Sequence, residues 1–167
     1  AMRKFLSALA AREAPILLDL GPVVGSNITF LGEHLGCKIV VEDLYADLDR
    51  HAREGTIEQL PAFLSQRLRQ APSSVDGILC WDLFDYLEPP TARALATHLV
   101  SRLRPGGWLY GFFGVTSGVL SHYTRYIVED AGAFRLRTIP ATPTPHQALV
   151  TRDVDKLFDG IGKLVDK

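Results

Sequence analysis

Apolar residues follow two patterns along this chain, helical periods and uninterrupted runs. Phe5, Leu6, Leu9 and Ala10 share one helical face, and Pro15 ends that first helix. Uninterrupted apolar runs are typical of strands that are buried on both faces of a sheet. Such runs cover residues 15–20, 38–41, 76–82 and 108–113. The chain is therefore expected to form a sheet whose strands are covered on both sides.

Helical patterns separate these runs. Ser26 or Asn27 is expected to cap a helix that ends near Leu35. Residues 48–68 have a helical pattern with one polar side, and Pro89 starts a further helix. The long stretch between the second and third runs contains no apolar run of strand quality. This alternation predicts an α/β fold with a mostly parallel sheet and helices on both of its faces.

The C-terminal part departs from this regular alternation. Residues 134–139 alternate apolar and polar side chains, as one of the closing strands of the sheet would. From Thr151 to Val165 the apolar residues recur at three- and four-residue steps. We therefore expect a terminal helix in place of a final strand, and an unfilled edge beside the sheet. An open edge favours a homodimer, whereas a helix folded back over its own sheet favours a monomer.

Composition and charge narrow the function classes. The 167 residues are enough for one domain with a hydrophobic core, which we predict to span residues 1–167. The chain has 18 Lys and Arg against 19 Asp and Glu, so it lacks a general attraction to nucleic acid or anionic membranes. We recognise no signal peptide, no membrane span and no metal-ligand spacing around the two cysteines. The expected protein is cytoplasmic, with no nucleic-acid partner, no membrane partner and no metal.

The turn after the first run carries candidate chemistry. An acid, Asp19, is followed two residues later by Gly21 and four residues after that by Gly25. A glycine directly after a strand lets the backbone approach a ligand, and an acid after the second strand, Glu42 or Asp43, is placed to accept both hydroxyls of a ribose. The spacing fits neither a nucleotide phosphate loop, which needs a lysine after its last glycine, nor the dinucleotide fingerprint G-x-G-x-x-G.

The remaining pattern resembles motif I of class I S-adenosylmethionine methyltransferases, D-x-G-x-G-x-G, with Val23 in place of the middle glycine. Residues 42–44 (EDL) lie where the ribose-binding acid of that family lies. Residues 76–83 (DGILCWDL) are similar to its fourth strand and the following loop, and residues 103–109 (LRPGGWL) to its turn into strand five. The resemblance therefore covers roughly residues 16–113.

This resemblance implies a Rossmann-like methyltransferase fold. The sequence departs from that fold in its third strand, which is missing or degenerate, and in its C-terminal strand, which a terminal helix is expected to replace. The resemblance also implies that the cofactor is S-adenosylmethionine. The residues that would bind it are Asp19, Gly21, Pro22, Gly25, Glu42, Asp43, Leu44, Trp81 and Asp82. Which of the two adjacent acids binds the ribose stays open, because counting from different glycines favours different ones.

The methyl acceptor is less well defined. The sequence lacks the [DN]-P-P-[YF] motif of amide and base-amine methyltransferases, so we expect a small-molecule acceptor. His122 and Tyr123 are candidate catalytic residues, His122 as a general base; the alternative is a surface histidine on a connecting helix. Residues 115–126 are expected to be a mobile cover over the acceptor side. The alternative function is a non-catalytic, methyltransferase-like binding or regulatory module.

Overall fold

Helices and strands alternate through residues 1–159 and 163–166, the part of the chain that the computed structural model describes. The helices are α1 (Met2–Ala10), α2 (Gly25–Leu35), α3 (Leu44–Glu54), α4 (Leu60–Arg67), α5 (Pro89–Arg102) and α6 (Thr151–Leu157), with 3₁₀ turns at Ile57–Gln59 and Leu83–Tyr86. The strands are β1 (Ile16–Asp19), β2 (Lys38–Val41), β3 (Val75–Trp81), β4 (Leu103–Phe112), β5 (Gly118–Asp130), β6 (Ala133–His146) and β7 (Lys163–Asp166).

The main sheet has the strand order β2-β1-β3-β4-β7, and every neighbouring pair in it is parallel. From β1 the chain goes outward to β2 on one side, and it later returns to β3 on the other side. In open parallel sheets, ligands bind beyond the carboxyl ends of the strands at such a reversal of strand order. The predicted α/β class with a parallel sheet is confirmed.

Alternate residues of the strands supply two core layers, one on each face of the sheet. Leu17 and Leu79 pack with α1 and α2, whereas Leu18 and Ile78 pack with α3, α4 and α5. All seven residues of β3 are buried because both of its faces are covered. The uninterrupted apolar run that predicted this strand therefore reflects its two-sided burial.

Strands β5 and β6 form a separate antiparallel hairpin, which pairs with no strand of the main sheet among the described residues. The hairpin contacts both core layers. Val128 packs in the layer of α1 and α2, and Tyr123 packs in the layer of α3 to α5. It therefore spans the sheet from one face to the other, at the edge where β1 and β3 end.

The stretch between β2 and β3 contains helices and no strand, as predicted.

Two predictions for the C-terminal part of the chain are wrong. Residues 134–139 lie in β6 of the hairpin and not in the main sheet. The terminal helix ends at Leu157, and β7 pairs in parallel with β4, so the edge that was predicted to be unfilled is occupied. Pairing satisfies the backbone groups that an open edge leaves exposed. Residues 160–162 of the predicted helix lie outside the described residues.

Candidate functional site

The turn between β1 and α2 lies at the reversal of strand order. The Glu42 N–H donates to the Asp19 carbonyl (2.8 Å), and the Leu44 N–H donates to the Leu20 carbonyl (3.3 Å). These bonds hold the chain that leaves β2 against the start of the turn. Helix α2 begins at Gly25, and no side chain caps its first turn, so the predicted caps Ser26 and Asn27 are wrong.

Asp19 ties the turn to the end of β3. Its Oδ1 accepts the Gly21 N–H (2.9 Å) and the Trp81 Nε1–H (2.8 Å). Burial raises the pKa of Asp19 to about 6, although both hydrogen bonds favour its charged form. A Cβ on Gly21 would lie 2.5 Å from Cδ1 of Trp81. The absence of a side chain at Gly21 therefore makes room for the indole of Trp81.

Trp81 is the first ring of a stack that fills the space above Gly21. The Tyr126 ring lies parallel to the indole, with 5.5 Å between centroids and 4° between planes. Phe112 also stacks on Tyr126, with 4.8 Å between centroids, and Phe134 meets these rings edge-on. Trp81 has a φ of +50°, a left-handed conformation that is strained for a bulky side chain. The packed stack keeps it there.

Asp82 is buried beside this stack and is held by tyrosine hydroxyls. Tyr45 donates to its Oδ1 at 2.6 Å, and Tyr86 and Tyr126 each donate to its Oδ2 at 3.2 Å. Burial raises the pKa of Asp82, against the opposing effect of these hydrogen bonds. The Tyr123 ring packs edge-on against Tyr45 and Tyr86. Both oxygens of Asp82 are therefore already occupied by the protein's own donors.

The two candidate ribose acids turn in different directions. Glu42 forms an ion pair with Arg67 on α4 and accepts a hydrogen bond from Nε2 of Gln70 (3.2 Å). Asp43 caps α3 by accepting the Ala46 N–H (3.2 Å). Its charge reaches the interior: burial is the main cause of the raised pKa values of Asp19 and Tyr123, and Asp43 adds to both. Of the two acids, Asp43 is therefore the one whose charge acts on Asp19 in the turn.

The other predicted cofactor residues differ in their exposure. Pro22 is half-buried, and Leu44 is fully buried in the core at the start of α3. Gly25 is exposed, and nothing lies within 4 Å of the position that its Cβ would take. Val23 is 57% exposed, so its side chain lies at the surface of the turn and does not narrow the space beneath it.

His122 and Tyr123 both lie in β5, so the alternative of a connecting helix is wrong. His122 is half-buried and pairs with Pro140 across the hairpin. Tyr123 is buried in the tyrosine cluster around Asp82. Residues 118–126 of the predicted mobile cover form the first part of this strand. The structure brings Tyr123 to the site, whereas His122, the preceding residue of the strand, has no described contact with a site residue.

The residues that hold the hairpin could not be recognised from the sequence. The side chain of Asn27, which is 2% exposed, donates from Nδ2 to the Tyr126 carbonyl and accepts the Val128 N–H at Oδ1, both at 2.8 Å. Its partners follow it by 99 and 101 residues, and no local pattern indicates contacts at that separation.

A cofactor does not fit the turn in this conformation, because the indole of Trp81 occupies the space next to Gly21 and Tyr126 is stacked on that indole. Open cavities lie elsewhere. One of about 480 Å³ is lined by Glu42, Phe63, Gln66, Arg67 and Arg69, on the outer side of Glu42. Another of about 250 Å³ lies between residues 113–115 and α6. The site as described is therefore closed.

Comparison of the chain with protein-family models, with curated proteins and with solved structures finds no match. Within residues 1–159 and 163–166, no group of three or more His, Cys, Asp and Glu side chains is placed to hold a metal ion. None of the helices in the same part of the chain has the length and apolar character needed to cross a membrane. The interpretation of the site therefore rests on this chain's own residues.

Proposed function

We propose that this chain is an S-adenosylmethionine-dependent methyltransferase that acts on a small-molecule acceptor. The observation that carries the proposal is the meeting of a glycine turn and a strand-end acid at the reversal of strand order. Gly21 and Asp43 follow the adjacent parallel strands β1 and β2, whose ends are joined by the hydrogen bond from Glu42 to Asp19. Parallel sheets bind nucleoside-containing ligands at this position.

Asp43 is the residue to which we assign the ribose. It lies at the start of α3, next to Leu44, whose N–H bonds to the turn at Leu20, and among the described contacts no cation holds its carboxylate. A carboxylate in that position accepts two vicinal hydroxyls. Glu42 faces away and is already paired with Arg67, so a ribose would have to displace that ion pair.

Binding at this place requires a form in which the indole of Trp81 has left the space above Gly21. The methyl group would be supplied by the cofactor, and the chain's own contribution would be to hold the acceptor in line and exclude water. Tyr123 lines the buried cluster that such an acceptor would approach. His122, the half-buried neighbour of Tyr123 in β5, stays a candidate base.

A second candidate function is a non-catalytic, methyltransferase-like binding or regulatory module. The favouring observation is that Asp82 has three tyrosine donors and that the Trp81 stack is complete without a ligand. In a screen with labelled S-adenosylmethionine, the first candidate transfers the methyl group to a small molecule, whereas the second transfers none.

Calorimetric titration with S-adenosylhomocysteine tests the assignment of the ribose. Asp43→Ala is expected to weaken binding by about ten- to a hundredfold, or about 1.4–2.8 kcal/mol, because the hydroxyls lose a charged acceptor. Glu42→Ala at the neighbouring position is the matched control and should change the affinity by less than about threefold. Asp43→Asn retains a side-chain cap for α3 and should still bind weakly, which separates the lost charge from lost folding. If Glu42→Ala and Asp43→Ala both bind like the parent, the ribose assignment is wrong.

A further inference from the structure

Both ends of the β5–β6 hairpin leave the body of the protein at Asp85, which follows β3. The Asp85 carboxylate accepts the Gly114 N–H (2.8 and 3.0 Å), just before the hairpin begins. The Asp85 backbone carbonyl accepts a hydrogen bond from Nδ1 of His146, the last residue of β6. The Ala148 N–H donates to Oγ of Ser117 (3.0 Å) and joins the two connections. The hairpin therefore has one common base.

Away from this base, and beside the packing of Tyr123, Tyr126 and Val128, two hydrogen-bonded contacts tie the rim of the hairpin to the helices. Asn27 on α2 binds the β5 backbone at Tyr126 and Val128. On the other side, Oδ1 of Asp49 on α3 accepts the Thr142 N–H (2.7 Å). These are polar contacts to α2 and α3, and no ladder of the main sheet would have to break for them to open.

The hairpin seals the residues to which we assign the ligand. Asp19, Trp81 and Asp82 are all less than 7% exposed. Tyr126 on β5 covers them, with its ring stacked on Trp81 and its hydroxyl on Asp82. No ligand can reach Gly21 while Tyr126 and Trp81 remain in place.

We propose that the β5–β6 hairpin is a hinged lid that keeps the site closed with Trp81 and Tyr126 in the position of the ligand, and that Asn27 is its latch. Asp85 holds the base of the lid, and the segments on either side of the hairpin, residues 113–117 and 147–150, have no regular structure and serve as its hinge. The identity of the ligand rests on the function proposed above, but the opening of the lid does not.

Closure and ligand binding are then mutually exclusive. Because the ligand binds only the open form, its apparent affinity is the intrinsic affinity reduced by the fraction of molecules that are open. A change that weakens the latch raises that fraction and therefore tightens binding, although the residue that was changed touches no ligand. Asn27 is in this sense a positioning residue.

Hydrogen exchange of the unliganded protein tests the lid without any assumption about the ligand. The Trp81 Nε1–H and the Gly21 N–H, both sealed beneath the hairpin on Asp19, are the reporters, and the Ile78 amide in the main sheet is the reference. We expect both reporters to exchange at least tenfold faster than the reference. The exchange of the two reporters should also depend less on the urea concentration than the exchange of the Ile78 amide, because opening the lid exposes less surface than global unfolding. If reporters and reference share one rate and one urea dependence, the lid does not exist.

Two substitutions on α2 test the latch. Asn27→Ala should speed exchange at Trp81 about tenfold and tighten S-adenosylhomocysteine binding by the same factor. Thr29→Ala is the matched control, because the described contact of its hydroxyl is the Gly25 carbonyl within the same helix, and it should change neither. Unchanged exchange in Asn27→Ala would overturn the latch. If Asn27→Ala does not fold, the lid is still tested by the urea dependence of hydrogen exchange in the parent protein, because that measurement requires no variant.

The two proposals fail in different ways. Fast exchange at Trp81 without any binding of S-adenosylhomocysteine to parent or Asn27→Ala supports the lid and contradicts the proposed function. Equal binding to both proteins, with exchange at Trp81 occurring only through global unfolding, contradicts the lid and leaves the proposed function standing.

Discussion

Gly21→Ala is expected to destabilise the chain by about 2–3 kcal/mol, which is typical of forcing an extra methyl group into a packed site. Its Cβ would lie 2.5 Å from Cδ1 and 2.6 Å from Nε1 of Trp81, and 3.2 Å from Oδ1 of Asp19. The Trp81 indole and the Asp19 carboxylate cannot move away easily, because both are buried and the indole is stacked on Tyr126. The methyl group therefore pushes Trp81 out of its stack or displaces the turn.

Gly25→Ala is the matched control in the same turn. Nothing lies within 4 Å of its Cβ position, and alanine favours the helix that begins there, so the stability should change by less than about 1 kcal/mol and in the favourable direction. Urea denaturation measures both variants, and the fluorescence of Trp81 reports whether the indole becomes exposed. Equal stabilities of the two variants would mean that the indole does not lie against Gly21.

The second large effect is a pH dependence that arises at Asp19. Its folded-state pKa of about 6 lies above the ordinary value of 3.8, because burial disfavours the charged form. Between these two values the native state binds more protons than the unfolded state, so the contribution of Asp19 to stability is fully present below about pH 4 and is lost as the pH rises through 6. The shift of about two pKa units corresponds to about 3 kcal/mol at most.

Asp19→Asn removes this titration and retains an oxygen that can accept the Gly21 and Trp81 N–H groups. Relative to the parent, the variant should therefore gain about 2–3 kcal/mol in unfolding free energy between pH 4 and pH 7.5. Asp85, whose pKa burial also raises to about 6, titrates equally in both proteins and cancels in the difference. Parallel stability profiles of parent and variant over this range would contradict the burial of a charged Asp19.

The central part of the fold could be predicted from the sequence because its signals are local. The runs of β1, β2 and β3 are apolar at nearly every position since both faces of the sheet are covered. Gly36 ends α2 in the left-handed conformation that favours glycine. The same reasoning located the turn at Asp19 and Gly21.

The predictions that were wrong concern features that depend on contacts between segments far apart in the sequence. A helical period from Thr151 to Val165 does not reveal that the edge of β4 has room for β7, which pairs with it through the backbone. A polar residue near a helix start suggests a cap, yet Asn27 bonds to β5 instead. Residue spacing left Glu42 and Asp43 equivalent, whereas Arg67 on α4 draws one of them away from the turn.

The sequence also could not reveal that a side chain of the protein itself occupies the candidate site. A glycine after a strand signals close approach, but the sequence does not say whether a ligand or another side chain approaches. At Gly21 the approaching group is Trp81, which lies at the end of β3, 62 residues after Asp19. In the closed form, the missing side chain of Gly21 is explained by its contact with Trp81. In the open form, a ligand would take the place of Trp81.

The most direct test of the account is the change in amide resonances of the unaltered protein on titration with S-adenosylhomocysteine, with NADH as the comparison ligand. The account predicts that S-adenosylhomocysteine shifts the backbone resonances of Gly21, Gly25 and Asp43 and the indole resonance of Trp81, and that NADH shifts none of them. Shifts at these residues with NADH and none with S-adenosylhomocysteine would contradict the proposed cofactor and, with it, the proposed function.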